Sequence, residues 1–140
     1  MREIKFRVWD NGLRKYLDPT QFVMELHNGS LCSEDSKGKL FSLTENERYC
    51  LEQYTGLKDR TGKEICEGDK CNVHHFYEIQ SFNGASEGEM EDVCTVEWIQ
   101  NLLRFGFCRK DIDEYEIFLA PELASDDGVE IIGNIHEDLK

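Results

Sequence analysis

Gln53-Tyr-Thr-Gly-Leu-Lys-Asp-Arg-Thr-Gly-Lys-Glu-Ile-Cys-Glu-Gly-Asp69 reads as the end of one strand, two tight connections and the entry to another strand. Gly56 and Gly62 can take left-handed backbone angles. Asp59 or Thr61 can bond nearby backbone N–H groups. Glu67-Gly68-Asp69 makes a second turn, with Gly68 at positive φ and Asp69 satisfying loop amides. Turns so closely spaced mark a β protein of short strands.

Upstream, Glu3-Ile-Lys-Phe-Arg-Val-Trp9 alternates, with Ile4, Phe6 and Val8 on one face and Glu3, Lys5 and Arg7 on the other. Asp10-Asn-Gly12 follows, and Asn-Gly supplies positive φ for a hairpin returning through Leu13 to Leu17. Asp18-Pro19 breaks that strand, Phe22 to Leu26 forms another ended by His27-Asn-Gly29, and Ser33 to Lys39 is a polar loop tip. Thr44 and Glu47 have the spacing of a helix-capping box, but the alternation of Tyr49, Leu51 and Gln53 favours a turn and then a strand over 48–55.

Downstream, a strand runs from Lys70 to Ile79. The Gly-, Ser- and Glu-bearing stretch Ser81 to Asp92 reads as a mobile loop. Val93 to Trp98 and Leu102 to Phe107 form strands joined by Ile99-Gln-Asn101, and Tyr115 to Leu119 and Val129 to Ile132 complete the set, with Pro121 and Asp126-Asp-Gly128 as breakers. Gly133-Asn134 ends the last strand in a short helical turn. Five strands after Glu64 are enough to close a small barrel. The expected fold is therefore mainly β with little helix.

Among 140 residues, 29 Asp and Glu stand against 16 Lys and Arg, a net charge of −13. Such a chain repels phosphate backbones, which argues against direct nucleic-acid binding. The charge is uneven. Residues 1–16 carry Arg2, Lys5, Arg7, Arg14 and Lys15 against Glu3 and Asp10, net +3, leaving −16 for the rest. No Lys or Arg occurs from Cys71 to Leu103, and residues 111–140 hold ten carboxylates with Lys140 as their only base. A basic end and an acidic flank suit docking within one chain or between copies. No run is long and apolar enough for a membrane helix, and the N-terminus does not read as a signal peptide, so the expected compartment is the cytoplasm, with no membrane partner.

Cys32, Cys50, Cys66, Cys71, Cys94 and Cys108 contain no C-x2-C pair and read as reduced core thiols. Cys66, Cys71 and His74, with the adjacent His75, form the one grouping with metal-ligand chemistry, but neighbouring residues on a strand face opposite sides. No nucleophile elbow, phosphate loop or zinc-protease motif is present. Asp111, Asp113, Glu114 and Glu116 read as a solvated face.

Arg7-Val-Trp-Asp10, the Gln53 to Asp69 stretch and Ile131-Ile-Gly-Asn-Ile-His-Glu137, in that order, resemble the YopX family of bacteriophage and prophage proteins. The match runs from end to end, apart from about 18–47 and 80–92. The resemblance implies a mostly-β protein of two parts. Residues 1–62 would be a β-rich subdomain ending in the Thr55-Gly-Leu-Lys-Asp59 connection, and 63–140 a small SH3-like barrel. The motif positions Trp9, Asp10, Gln53, Tyr54, Thr55, Gly56, Leu57, Asp59, Gly62, Glu64, Ile65, Glu67, Gly68, Asp69, Gly133 and Asn134 read as structural. The family pattern usually places an aromatic or aliphatic residue at position 66 and an apolar one near 71, which supports core cysteines. The resemblance brings no activity, no catalytic residue and no cofactor, and it implies a phage or prophage origin.

Three functions remain. The leading one is a non-enzymatic interaction protein that self-assembles or binds a host protein in the bacterial cytoplasm, with Trp9, Tyr16, Tyr54 and Trp98 as exposed hot spots. The second is an acidic decoy for a host nucleic-acid-handling protein. The third is an enzyme or metal protein using Cys66, Cys71 and His74.

Overall fold

Alternating and turn-punctuated sequence produces twelve strands among the described residues, β1 to β12, with short 3-10 turns at Pro19–Gln21 and Gln100–Leu102. A computed structural model describes residues 3–25, 28, 30–44, 46–110, 115–118 and 128–137. Two compact units are present, Ile4–Gln53 and Tyr54–Lys140, the latter with Met1–Glu3. The division precedes the expected 62/63 boundary. Residues after Gly56 are tied into the second unit, where the Arg60 N–H donates to the Val129 carbonyl at 2.9 Å.

In the first unit, β1 (Phe6–Asp10) pairs with β2 (Lys15–Tyr16) and with the first half of β6 (Tyr49–Lys58). The expected hairpin forms, but its positive φ falls on Arg14 (56°) rather than on the Asn-Gly pair. The loop instead folds over a carboxylate. Asp10 Oδ1 accepts from the N–H groups of Gly12 (2.8 Å) and Leu13 (3.2 Å). Gly12 lies against the Arg48 guanidinium, which would have to shift to admit a Cβ 2.6 Å from its Nε.

Asp18 breaks the chain as expected, capping the 3-10 turn through the Thr20 N–H while Gln21 Oε1 accepts from the Asp18 N–H. That turn shortens the 22–26 strand to β3 (Val23–Met24); Leu26, His27 and Gly29 lie outside the described residues. β3 pairs with β4 (Leu31–Glu34), which pairs with β5 (Leu40–Ser42). Thr44 caps no helix; its hydroxyl accepts from the Leu31 N–H at 2.9 Å. Val8, Leu31 and Leu43 form the core of this unit, with Phe6, Leu17, Phe22, Tyr49 and Leu51 packed against it.

The second unit contains the rest of β6, then β7 (Glu64–Cys66), β8 (Asp69–Ser81), β9 (Gly84–Ile99), β10 (Arg104–Lys110), β11 (Tyr115–Phe118) and β12 (Val129–Asn134). A five-stranded antiparallel sheet has the order β11-β10-β9-β8-β12. Its end strands β11 and β12 do not pair with each other among the described residues, so the sheet is a curled half-barrel rather than a closed one. Ile65, Cys71, Val73, Cys94, Val96, Phe107 and Val129 fill its core. Leu119, Pro121, Asp126 and Asp127, and the acidic Asp111, Asp113 and Glu114, lie outside the described residues.

The loop expected at 81–92 is instead strand. β8 and β9 stay in register from Lys70↔Thr95 out to Ser81↔Gly84, turning only at Phe82-Asn83, where Gly84 takes φ 114°. Ladder hydrogen bonds come from the backbone, so a run of Ser, Glu and Gly can pair while reading as loop. β12 covers β8 only over 69–73, and β10 covers β9 only over 95–99. From His75↔Met90 to the tip, the hairpin is a two-stranded ribbon among the described residues.

Gly106 on β10 gives a direct test of packing in this sheet. A Cβ there would sit 2.8 Å from Ile117 Cγ2 and 3.2 Å from Ile99 Cγ1. Gly106→Ala should cost about 1–3 kcal/mol through overpacking, read as a lower urea midpoint; an unchanged midpoint would show that these isoleucines do not close on Gly106.

Candidate functional site

The central motif is held by its own polar groups. Thr55 Oγ1 donates to the Ile65 carbonyl at 2.8 Å and accepts from the Leu57 N–H at 3.1 Å. With Gly56 at φ 90°, the β6–β7 register shifts between Tyr54 and Lys58, and Leu57 is turned outward. Asp59 is buried at 6% exposure. Its Oδ1 accepts from the Thr61 N–H (2.9 Å), the Thr61 hydroxyl (2.8 Å) and the Lys63 N–H (3.0 Å), and its Oδ2 accepts from the Ile131 N–H at 3.0 Å. Burial pushes this carboxyl up, but the hydrogen bonds from Ile131, Thr61 and Lys63 together outweigh it, lowering its pKa from 3.8 to about 2.

Gly68, at φ 85°, links β9 to the turn after β12: its N–H donates to the Val96 carbonyl and its carbonyl accepts from the Ile135 N–H, each at 2.9 Å. Asp69 Oδ2 accepts from the Cys66 N–H at 2.8 Å, as the turn reading expects. Ile65 is core, and Glu64 and Glu67 flank it in β7 and its turn. At the far end, the β12 register shifts between Ile131 and Gly133. Asn134 Oδ1 then accepts from the His136 N–H at 2.9 Å, and Asn134 Nδ2 donates to Glu137 at 3.0 Å. Gln53 is a ladder position opposite Phe6.

In the first unit, Arg48 donates through Nε and Nη2 to both oxygens of the buried Asp10, at 2.7 and 2.9 Å. The Arg48 hydrogen bond, helped by the Leu13 and Gly12 N–H groups, lowers the Asp10 pKa against the upward push of burial. Glu52, buried on β6, accepts from Arg7 Nε and from the Tyr16 hydroxyl, both at 2.8 Å. The Arg7 guanidinium lies 4.5 Å from the Tyr16 ring centroid, and Tyr16 meets Trp9 edge-on at 4.9 Å. Trp9 is therefore buried, and Tyr54 is buried on β6, which corrects their reading as exposed hot spots; Trp98 is exposed. Sequence reasoning missed the partners Arg48 and Glu52, because a charge pair between distant positions leaves no local pattern.

Cys66, Cys71 and His74 are not gathered among the described residues. Cys71 packs in the core opposite Cys94, while His74 Nε2 lies 2.9 Å from Glu89 Oε2. No disulfide joins the cysteines.

One concave feature of the second unit is an apolar cavity of about 300 Å³ beside the Gly56 bulge. The buried Val96 and Phe107 form its floor, and Leu57, Trp98 and Leu103 line its exposed mouth. Trp98 and Phe105 meet edge-on at 5.1 Å, and the exposed Arg104 stands at the rim. Leu103 takes a left-handed φ of 51°, a conformation that strains a leucine, and holds its side chain 70% exposed.

The sequence model of the YopX protein family matches residues 5–140. The chain belongs to the YopX family. Its fold is similar to that in the crystal structure of protein EF1440 from Enterococcus faecalis, with TM-score 0.53 and 20% identity over 97% of this chain and 95% of that one. No curated protein matches this YopX family member.

Two measurements test these buried carboxylates. Because Asp59 titrates lower when folded, its contribution, on the order of 2 kcal/mol, is present above its ordinary pKa of 3.8 and lost as pH falls through about 2. The stability gap between the wild type and Asp59→Asn should therefore be full near neutrality and shrink from pH 4 to pH 2; a gap independent of pH would show that the ionised form is not the anchor. Arg48→Met leaves the buried Asp10 without its guanidinium and should cost about 1–3 kcal/mol in urea unfolding, whereas an unperturbed midpoint would mean that the half-exposed Arg48 contributes nothing to holding it.

Proposed function

We propose that this YopX family member is a non-enzymatic interaction protein that assembles with copies of itself, a phage or prophage accessory factor of the bacterial cytoplasm. The observation that carries this reading is the β8–β9 ribbon, which extends past the strands flanking it and ends in a fully exposed Phe82. A hairpin of this kind offers backbone edges and an apolar tip, the elements by which sheets meet partners. The polar residues of the central motif support the same reading, since Thr55, Asp59 and Asp69 each engage backbone groups of the fold. No helix among the described residues is long and apolar enough to cross a membrane.

Net charge of −13 makes copies repel, so an assembly held by apolar contacts should survive when salt screens that repulsion. Light scattering coupled to size exclusion, at physiological salt and at about 1 M, should give at least a dimer mass at micromolar protein. Monomer mass at every concentration in both buffers would remove the self-assembly reading. Assembly lost at high salt would favour association by charge alone, as an acidic decoy would use.

A further inference from the structure

Phe82 and the Trp98 cavity lie at opposite ends of β9, Phe82 in the turn that leads into it. Phe82 lies two residues before the start of β9, at 106% exposure, in a turn whose Asn83-Gly84 already has suitable turn chemistry. Nothing in the turn requires a phenyl ring, and a fully solvated one is unfavourable. The cavity, about 300 Å³, lies at the other end of β9, where Trp98 and the β9–β10 connection form its mouth. An apolar cavity of about 150 Å³ already admits a benzene-sized ring. At about 3.3 Å per residue, the strand from Gly84 to Trp98 is roughly 45 Å long, so the tip and cavity of one chain are held apart along β9.

Resting on the self-assembly reading above, we propose that Phe82 of one copy inserts into the Trp98–Leu103 cavity of a second copy. Two chains laid with their β9 strands antiparallel bring each tip to the other's cavity, giving a reciprocal, closed two-fold contact. Charge at the cavity mouth suits this tip, Arg104 being the charged residue of its lining. Residues 71–103 contain Glu78, Glu87, Glu89, Glu91, Asp92 and Glu97 and no Lys or Arg, while Arg104 stands exposed at the cavity rim. The acidic ribbon therefore approaches a cation as its tip enters the pocket. Leu103, strained into a left-handed conformation at the mouth, supplies part of the apolar wall.

The contact can be mapped in the full chain carrying the photo-crosslinker p-benzoylphenylalanine at position 82, mixed with isotopically heavy wild-type chain. Irradiation should link position 82 to heavy peptides carrying Leu57 or residues 98–105. Phe82→Ser and Leu103→Asp should each weaken the dimer about tenfold or more, with unchanged melting temperature. Asp accepts the left-handed backbone at position 103, and the fully exposed Phe82 has no packing among the described residues to lose. The double variant should weaken it no more than the stronger single one, because both changes remove one contact. A dimer whose crosslinks map elsewhere, or one indifferent to Phe82→Ser, overturns the contact and leaves self-assembly standing; a chain that never dimerises overturns both.

Discussion

The Asp59 carboxylate is the constraint on which the second unit depends. It sits in the tight connection after β6, yet one of its oxygens holds the N–H of Ile131, 72 positions away in the chain. The other oxygen gathers Thr61 and Lys63 and so shapes the turn itself. One buried anion therefore fixes both a local loop and the position of β12, which completes the sheet beside β8. The hydrogen bonds outweigh the desolvation, as the lowered pKa records. Gly68 repeats the device with backbone alone, bonding β9 on one side and the turn just past β12 on the other.

With those turns held, small side chains can fill the curled sheet. Cys71 and Cys94 face each other across β8 and β9, and Ile131 lies opposite Cys71 on the other side. Both thiols are almost wholly buried beside Val73, Val96 and Phe107. At the inside of a tightly curved sheet, compact side chains pack where larger ones would clash. The basic first strand has a comparable internal use. Arg7 meets Glu52 and Arg48 meets Asp10, so part of the charge asymmetry along the chain is consumed within the first unit.

The central motif was legible because its chemistry is local. Glycines at φ 85° to 90° and carboxylates bonding amides two to four positions away announce themselves by spacing. Less legible were features created by distant partners. The 81–92 stretch has loop-like composition, and only its register against β8 makes it a strand. Trp9 and Tyr54 looked like surface aromatics, but burial is a property of what folds over them. The cavity is built from β6, β9 and β10 together, and its outward Leu57 follows from a bulge that sequence marks only as a glycine.

Sequence alone determined the strand-and-turn character of this protein, the turn-forming role of its middle segment, its family and the burial of Cys66 and Cys71, because these depend on residue type at short spacing. Tertiary structure alone decided that Asp59 anchors β12, that Arg48 and Glu52 complete charge pairs, and that an exposed phenylalanine and an apolar cavity occupy opposite ends of one strand. Those arrangements require positions far apart in the chain to meet, and pairing energy of that kind leaves no periodic trace in the residues that share it.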